Sequence, residues 1–470
     1  MRKTKIVCTI GPACNNEETI SAMCLAGMNV ARLNFSHGTH EQHLESINLI
    51  KKVREKLGVS IAIMLDTKGP EYRIGCFENH KIVLNSGDLF SFTTEDIIGN
   101  ENRVSVSYKD LMGELVKDDM ILLNDGLMSF KVLNVTETEI FTVVIDGGIL
   151  FDKKSMSFPN KVLKQKYLSE QDKKDIIFGA ENDIDFIACS FVSKAQDLID
   201  VKSFLLENGI TNIDIVAKIE NRSGVDNINE ICQECDGIMI ARGDMGVEIP
   251  FEELPGIQKM LITKCRLLGK RVITATEMLE SMITNSRPTR AEISDVANAV
   301  YDGTSAIMLS GETAAGKNPV LAVETMSKIA VKAENDINYR KRFLKSDFVI
   351  KDMVDAISHA TCGMAIDIGA KAIAVCSLSG KTVRMVSRFR PSVDIIGLTT
   401  NEKTYRKLAL SWGVIPVMSE EYNSTEVLFY NAKNKTIDEL NLIANDRMVI
   451  TGGVTNGCSG NTNLIKVECV

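Results

Sequence analysis

The sequence predicts an α/β protein whose largest part is a closed barrel of eight parallel strands. Eight apolar runs, each long enough for a buried strand, alternate with helix-like segments, at residues 5–11, 28–35, 59–66, 184–191, 213–220, 236–243, 271–276 and 305–311. Strands that are apolar along their length and alternate with helices are typical of a parallel sheet covered by helices. Eight such units close a (β/α)8 TIM barrel, which we expect to comprise residues 1–69 and 168–340.

A second domain interrupts the barrel after its third strand. Residues 81–94 and 121–145 alternate between apolar and polar positions, and Asn124–Gly126 has the composition of a hairpin turn. We therefore expect residues 70–167 to form an inserted all-β domain. Because this domain leaves the barrel at the carboxyl end of a strand, where the catalytic groups of such barrels lie, it is placed to act as a lid.

The rest of the sequence predicts a C-terminal αβ domain over residues 345–470. The charged segment 338–347 is typical of a linker that leads into it. Predicted strands again alternate with helices, at residues 371–378, 393–400, 413–418, 447–453 and 464–470.

The composition indicates a soluble globular protein. The chain has 470 residues, of which 44% are hydrophobic and 25% charged, and its formal net charge is -8. It has no basic run, so we expect no nucleic-acid partner, and no apolar run of the roughly 18 residues that span a membrane. The N-terminal stretch lacks the apolar core of a secretory signal, and the 12 scattered cysteines fit reduced thiols, so we expect a cytoplasmic protein.

Mostly polar residues follow or end six of the eight predicted barrel strands. They are Arg32, Asn34 and Ser36 for the second strand, Asp66, Thr67 and Lys68 for the third, Lys218 and Glu220 for the fifth, Arg242, Gly243 and Asp244 for the sixth, Thr276 for the seventh, and Ser310 and Glu312 for the eighth. The carboxyl ends of barrel strands meet at one mouth. There, Glu220 and Asp244 suit Mg²⁺, whereas Arg32 and Lys218 suit a transferring phosphoryl group. Ion pairs that only close the mouth are the alternative, but polar ends on six strands favour a catalytic site.

Motifs at these positions resemble signature sequences of the pyruvate kinase family. They are RLNFSHG (32–38), LDTKGPEYR (65–73), KIEN (218–221), ARGDMGVEIP (241–250), TATEMLESM (274–282) and PTRAEISDVANAVYDGTSAIMLSGETAAGKNP (288–319). They occur in the family's order, and the resemblance covers essentially the whole chain. It implies an enzyme that transfers the phosphoryl group of phosphoenolpyruvate to ADP, giving pyruvate and ATP in glycolysis, and that forms a homotetramer.

The resemblance also implies roles for residues at the barrel mouth. Arg32 and Lys218 would flank the phosphoryl group during transfer, with Lys218 stabilising its charge. The amides of Gly243 and Asp244, together with the Thr276 hydroxyl, would hold the substrate carboxylate. Thr276 would also lie where the enolate is protonated through water.

The resemblance further implies metal ions and a nucleotide. Mg²⁺ or Mn²⁺ would be bound by Glu220 and Asp244. Glu71 matches the form of the family that depends on K⁺. The K⁺ ligands would be Asn34, Ser36, Asp66 and Thr67. The residues that reach ADP or ATP would be Asn34, His37, Arg73 and Lys154.

The sequence departs from the family pattern at three single positions and in one segment. Glu277 stands where Gln is usual, Asn124 where Asp is usual, and Ser193 where an Arg is common. The segment 154–172, through which the lid returns to the barrel, lacks the usual Asn-Leu-Pro-Gly and a later Leu-Pro. None of these changes removes Lys218 or an implied metal ligand. We therefore expect an active enzyme with altered lid behaviour.

A loop in the C-terminal domain is a candidate effector site. The stretch SLSGKT (377–382) follows a predicted strand and outlines a phosphate cradle. From the loop alone, an ordinary polar turn is an equally good interpretation. The resemblance favours an activating sugar phosphate or nucleotide, bound by Ser377, Ser379, Lys381 and Thr382.

Two other patterns look functional but have simpler interpretations. Gly311–Lys317 approaches a phosphate-binding P-loop, yet Asn318 occupies the position of the required Ser or Thr. Cys232 and Cys235 have the spacing of zinc ligands, but no second pair lies at a usable distance. Reduced packing or surface cysteines are the simpler interpretation.

Two other functions stay open at this stage. A Mg²⁺-dependent aldolase or lyase acting on a 2-oxo acid would share the pair Glu220 and Asp244, but it would need neither a lid nor a nucleotide. A non-catalytic metabolite sensor would keep the fold, but its expected mark is the loss of Lys218 or a metal ligand, and neither is lost. Dependence on ADP separates these functions from phosphoryl transfer.

Overall fold

The barrel closes with all eight strands parallel, as the alternating apolar runs predict. A computed structural model of the chain describes residues 1–159, 161, 163–454 and 460–470. Within it, the eighth barrel strand pairs with the first and so closes the sheet. The barrel strands are Lys5–Thr9, Val30–Asn34, Ala62–Asp66, Phe186–Cys189, Asp214–Ile219, Gly237–Ala241, Arg271–Ala275 and Ala306–Leu309. The predicted fold class is confirmed.

Helices cover the outside of the barrel, and side chains of alternate strand residues fill its inside. Ile63 and Leu65 pack under the helices, whereas Met64 between them lies in the barrel interior. The hydroxyls of Thr39 and Thr289 accept backbone N–H groups in capping boxes and so fix the start of two helices. The helices of this region are Glu17–Ala26, His40–Leu57, Glu170–Glu181, Ala195–Glu207, Arg222–Asp226, Ile228–Glu234, Arg242–Glu248, Leu254–Leu268, Arg290–Asp302, Gly311–Ala314 and Pro319–Asn335.

The inserted domain is all-β and has its own core. Its buried rings include Phe92 and Phe130, whose centroids lie 5.4 Å apart in an edge-on contact. The predicted turn Asn124–Gly126 joins Met120–Leu123 to Met128–Val135, and its three residues all have positive φ. The other strands of this domain are Tyr72–Arg73, Lys81–Leu84, Leu89–Thr93, Arg103–Ser105, Glu139–Asp146, Gly148–Phe151 and Ser155–Ser157.

The C-terminal domain is a five-stranded sheet with a hydrophobic cluster on each face. The segment 338–347, predicted as a linker, contains the helix Tyr339–Lys345, whose Phe343 ring stacks on His359 at 4.8 Å. The strands are Ala372–Cys376, Asp394–Thr399, Val414–Met418, Arg447–Gly453 and Thr462–Cys469, of which only the last runs antiparallel to its neighbour. The helices after Tyr339–Lys345 are Met353–Asp367, Lys381–Arg388, Glu402–Leu408 and Thr425–Leu440. No helix among the described residues has the length and apolar character needed to cross a membrane.

Candidate active site

Four charged side chains at the ends of the second, third and fifth barrel strands form one buried network at the carboxyl end of the barrel. Arg32 Nε donates to Asp66 Oδ2 at 2.6 Å, and Lys218 Nζ donates to Asp66 Oδ1 at 3.0 Å. The same Nζ lies 3.0 Å from Glu220 Oε1. Asp66 therefore bridges two cations and holds both at the mouth. These are the residues that the strand ends predict to meet.

Burial and neighbouring charges shift the pKa values of this network. Burial alone would lower the pKa of Lys218, but Asp66 and Glu220 outweigh it and raise that pKa, so the ammonium stays charged. Burial would raise the pKa of Asp66, but Arg32 and Lys218 lower it overall. Burial raises the pKa of Glu220 to about 7, and the nearby carboxylates Asp244 and Asp66 add to the rise against the opposing effect of Lys218. The charged ammonium of Lys218 thus lies beside Glu220, whose ionised carboxylate would be stabilised by a further cation.

Ser190 completes this network and was missed by the sequence analysis. Its hydroxyl donates to the Thr67 carbonyl at 2.6 Å and accepts from Lys218 Nζ at 2.7 Å. It also lies 3.2 Å from Asp66 Oδ1. Ser190 directly follows the fourth barrel strand, so its place at a strand end was the signal that could have identified it.

The residues implied for K⁺ lie together at the ends of the second and third strands. Asn34 and Asp66 are direct partners in the strand register. Asn34 Oδ1 accepts the backbone N–H of Ser36 at 3.1 Å, and Thr67 Oγ1 donates to the Ala188 carbonyl at 3.3 Å. The amide oxygen of Asn34, the hydroxyls of Ser36 and Thr67 and the carboxylate of Asp66 are thus grouped at the ends of two adjacent strands.

Thr276 and Gly243 are bonded to each other. The Gly243 N–H donates to Thr276 Oγ1 at 2.8 Å, and this hydroxyl donates to the Ala275 carbonyl at 2.6 Å. Thr276 and Glu277 have φ of 68° and 53°, a left-handed conformation that is uncommon for such residues and is found at functional sites. Arg242 secures this turn by donating to the Thr276 carbonyl at 2.6 Å. The turn therefore presents a fixed hydroxyl at the mouth.

A cavity of 540 Å³ lies between the barrel mouth and the lid. Its lining includes His37, Arg73 and Lys154, three of the four residues implied for the nucleotide, together with Asp244. Glu71 also lines it and forms an ion pair with Arg73. Asn34, the fourth implied contact, is outside this lining. The structure therefore brings basic side chains from the barrel and the lid around one space beside an implied metal ligand.

The lid contacts the barrel at the short helix Arg242–Glu248. The Phe158 N–H donates to Glu248 Oε1 at 3.3 Å. Burial raises the pKa of Glu248 to about 7, although this hydrogen bond opposes the rise. Two residues of the return segment, 160 and 162, lie outside the described residues.

The two implied Mg²⁺ ligands fit such an ion. Glu220 Oε1 is buried and accepts no hydrogen bond, although the Lys218 ammonium is close, while Glu220 Oε2 accepts the Phe191 N–H at 2.6 Å. Asp244 borders the cavity. Among the described residues, no three His, Cys, Asp or Glu side chains are arranged to hold a metal ion. Two carboxylates are nevertheless a usual protein contribution to a Mg²⁺ site, because water and phosphate oxygens complete it.

The implied effector residues share a second cavity, of 280 Å³, in the C-terminal domain. Ser377, Ser379, Lys381 and Thr382 all line it. Thr382 Oγ1 lies 2.6 Å from Thr462 Oγ1, so the loop is tied to the last strand. The helix Lys381–Arg388 begins at this loop. The described lining of this cavity includes hydroxyl donors and one lysine, which suit an anion, and also the carboxylates of Glu420 and Glu421.

Other residues that the sequence analysis singled out have local structural contacts. Ser193 Oγ accepts from Asn221 Nδ2 at 3.0 Å, and both residues line the cavity between the mouth and the lid. Cys232 Sγ lies 3.9 Å from Cys265 Sγ, and both residues are buried, as is Cys235.

Comparison with known proteins agrees with this geometry. Residues 1–323 match the family domain described as pyruvate kinase, barrel domain, and residues 355–468 match pyruvate kinase, alpha/beta domain. The chain is 46% identical to the pyruvate kinase of Clostridium acetobutylicum over 100% of both chains, and 46% identical to that of Bacillus licheniformis over 100% of this chain and 81% of the relative. A crystal structure of a pyruvate kinase from Cryptosporidium parvum superposes with a TM-score of 0.95 at 38% identity, covering 100% of this chain and 96% of the other. The chain therefore belongs to the pyruvate kinase family and is a phosphotransferase.

Proposed function

We propose that this phosphotransferase moves the phosphoryl group of phosphoenolpyruvate to ADP in a reaction that depends on Mg²⁺ and K⁺. The observation that carries the proposal is the position of Lys218. Its ammonium is buried at the mouth between Asp66 and Glu220 and stays charged. A cation held in place before the substrate arrives is suited to the charge that a phosphoryl group carries during transfer.

Arg32 and Lys218 would act as a preorganised pair. Asp66 accepts from both, so neither side chain has to reorganise when the phosphoryl group moves between them. Ser190 would act as a positioning residue, because its hydroxyl accepts from Lys218 Nζ and donates to the Thr67 carbonyl, at the end of the third strand. Glu220 and Asp244 would hold Mg²⁺, which when bound neutralises charge on phosphoryl oxygens.

The K⁺ would be held by the oxygens of Asn34, Ser36, Asp66 and Thr67. An all-oxygen set with a single carboxylate is suited to a hard monovalent cation. Glu71 supports the same assignment through the resemblance of its motif. Its carboxylate is held beside the nucleotide cavity by Arg73.

The substrate carboxylate would bind at the start of the short helix Arg242–Glu248, at the amides of Gly243 and Asp244. Because the Gly243 N–H is hydrogen-bonded to Thr276 Oγ1, substrate binding would have to exchange this bond for one to the carboxylate. Thr276 Oγ1 would then be free to orient a water molecule that delivers the proton to the enolate carbon. The left-handed turn keeps this hydroxyl in place.

The nucleotide would occupy the cavity between the mouth and the lid. His37, Arg73 and Lys154 would contact ADP or ATP there, with Asn34 reaching it from the second strand. Closure of the lid would exclude water, which would otherwise compete with ADP for the phosphoryl group.

A phosphorylated metabolite would bind the C-terminal cavity and activate the enzyme. The supporting observation is that Ser377, Ser379, Lys381 and Thr382 line one cavity. A sugar phosphate or a nucleotide would place its phosphate at this loop. We also propose a homotetramer, with domains at residues 1–69 and 168–340, 70–167 and 345–470.

The test is pyruvate formation from phosphoenolpyruvate in Mg²⁺ buffer, with and without ADP, in K⁺ or in Na⁺. We expect turnover that requires ADP and rises with K⁺. Turnover without K⁺ would contradict the monovalent-cation site alone, whereas pyruvate formed from a 2-oxo acid without ADP would favour an aldolase or lyase. Fructose 1,6-bisphosphate, ribose 5-phosphate and AMP are then added one at a time to the wild type and to Lys381→Ala. Activation of both proteins, or of neither, would contradict the effector site.

A further inference from the structure

A small cavity lies at the base of the barrel, where the barrel meets the C-terminal domain. Its barrel side is formed by Gly269–Arg271 and Ser305, at the amino ends of the seventh and eighth strands, which is the end opposite the catalytic mouth. Its other side is formed by the C-terminal domain, including Trp412. The cavity has room for about one water-sized particle.

The lining of this cavity is strongly cationic. Its charged members are Lys270, Arg271, Arg384, Arg388 and Arg390, and none of the described lining residues is a carboxylate. This local excess occurs in a chain whose formal net charge is -8. Some of it is balanced from behind the cavity. The ion pairs are Arg271 with Asp214 at 2.7 Å, Arg384 with Asp236 at 3.2 Å and Arg388 with Asp355 at 3.1 Å.

Arg390 has no such balance. It is 2% exposed and forms no ion pair with a described residue. Its guanidinium donates to the Ser387 and Gly303 carbonyls and to Ser305 Oγ, and it lies over the Trp412 ring at 4.9 Å. Burial and the nearby Arg266 and Arg342 lower its pKa well below the usual range. A buried cation without a counter-charge is costly, so a compensating anion is expected beside it.

Donors around the cavity also lack acceptors. The buried Nε–H groups of Arg384, Arg388 and Arg390 have no hydrogen-bond partner, and neither has Arg388 Nη2. Two serine hydroxyls are used only as acceptors among the described residues. Ser305 Oγ accepts from Arg390 at 3.0 Å, and Ser411 Oγ accepts from Arg271 Nε at 3.3 Å. Their protons are therefore available, and buried donors of this kind require an acceptor.

We propose that this cavity is a site for one chloride ion, held by the hydroxyls of Ser305 and Ser411 and by the surrounding guanidinium groups. The room available fits a monatomic anion, whereas a phosphate or a carboxylate is too large. A water molecule fits the space, but it would leave the charge of Arg390 unbalanced. Because the lining comes from two domains, the ion joins the barrel to the C-terminal domain.

The first test is thermal unfolding of the full chain in KCl and in potassium gluconate at equal ionic strength, which keeps K⁺ constant. We expect Tm to rise with the logarithm of the chloride concentration once that concentration exceeds Kd, but not with gluconate. In the double variant Ser305→Ala, Ser411→Ala, the chloride concentration at which this rise begins should be about tenfold higher or more, because two hydrogen bonds to an anion are lost. Ser358→Ala is the control, since Ser358 is a buried serine of the C-terminal domain that does not line the cavity. Equal effects of the two salts on the wild type, or an equal chloride response of the double variant, would overturn the proposal.

The second test needs no variant. Crystals of the wild-type chain grown in bromide are measured at the bromine absorption edge. We expect an anomalous peak within hydrogen-bond distance of Ser305 Oγ and Ser411 Oγ. Ordinary water density there, with bromide only at surface lysines, would show that the cavity is hydrated and would overturn the site. Neither test depends on catalysis, so failure here is separate from failure of the proposed function.

Discussion

Both ends of the barrel carry buried charges, but the charges are arranged differently. At the carboxyl end, Lys218 and Glu220 belong to a network that borders a cavity, and Glu220 Oε1 accepts no hydrogen bond. At the amino end, Asp185, Asp214 and Arg271 stand at the starts of the fourth, fifth and seventh strands, and all three have partners in the helix Glu402–Leu408 or nearby.

The pairs at the amino end are saturated by the C-terminal domain. Arg406 Nε donates to Asp185 Oδ1 at 2.8 Å, and Lys407 Nζ donates to Asp214 Oδ1 at 2.7 Å. Burial would raise the pKa of Asp214, but Arg271 and Lys407 lower it well below its usual value. Burial raises the pKa of Asp185 even though Arg406 opposes it.

The difference between the two ends indicates when buried charges at strand ends serve domain docking and when they can serve catalysis. Where a second domain supplies the partners, charged side chains dock that domain and leave no cavity large enough for an organic substrate. Where the partners come only from the barrel and a cavity stays beside them, the same residue types can act on a substrate. Burial and charge alone do not distinguish the two ends, because Lys218 and Lys403 have side chains that are 11% and 10% exposed.

The largest expected effect separates these two lysines. Lys218→Gln should lower pyruvate formation at least about a thousandfold, because it removes the preorganised cation of the mouth. Lys403→Gln, its control at the base, should leave turnover within about twofold and lower Tm, because it removes a partner of Asp183. Turnover by Lys218→Gln within tenfold of wild type would contradict the comparison, as would an inactive but folded Lys403→Gln.

The next effect is on stability. Arg406→Ala should lower the free energy of unfolding by about 3 kcal/mol, because it leaves the carboxylate of Asp185 buried with a weaker partner, Lys403, at 3.7 Å. Denaturant unfolding of the full chain measures the change, with kcat recorded below the transition. The double variant Asp185→Asn, Arg406→Ala should recover part of the loss, because no unpaired carboxylate is left. A double variant that is less stable than Arg406→Ala would contradict this account.

The sequence predicted which residues meet at the mouth of the barrel, but it did not predict the ion pairs at the opposite end. Arg32, Lys218 and Glu220 could be placed together because strand ends share one mouth, whatever the details of packing. Asp185 and Asp214 also stand at strand boundaries, but their partners lie about 200 residues further along the chain, and nothing local indicates which helix will pack there. The helix within the predicted linker was not predicted for the same reason, since the charged residues around Phe343 gave no sign that this ring would be buried.

Glu248 is a partly buried carboxylate that belongs neither to the network at the mouth nor to the ion pairs with the C-terminal domain. Glu248 lies near the mouth without an ion pair to any described residue, and burial raises its pKa to about 7. Below pH 4.5 it is protonated in both the folded and unfolded states. Between pH 4.5 and 7 the unfolded state loses its proton first, so folding stability falls as pH rises, and above pH 7 the cost is constant.

Glu248→Gln should remove this cost. The variant should match wild type near pH 5 and be more stable by about 2 kcal/mol at pH 8, because the amide can still accept the Phe158 N–H and carries no charge. Tm values of both proteins across this range measure the difference. A gap that stays constant with pH would mean that Glu248 titrates at its ordinary value and that the lid contact does not bury it.

The smallest effect concerns the serine that joins the network at the mouth. Ser190→Ala should lower kcat about tenfold while Tm changes little, because Lys218 Nζ keeps its two carboxylate partners and loses only the hydroxyl at 2.7 Å. Ser46→Ala, in the helix His40–Leu57, is the control and should keep kcat within about twofold, since Ser46 is a buried serine whose hydroxyl donates to the Gln42 carbonyl, outside the network and the nucleotide cavity. A loss as large as that of Lys218→Gln would mean that Ser190 contacts the substrate itself. An unchanged kcat would mean that Asp66 and Glu220 alone fix the ammonium of Lys218. The hydrogen bond to Ser190 would then be redundant, and the mouth would resemble the amino end, where the charged groups have several partners each.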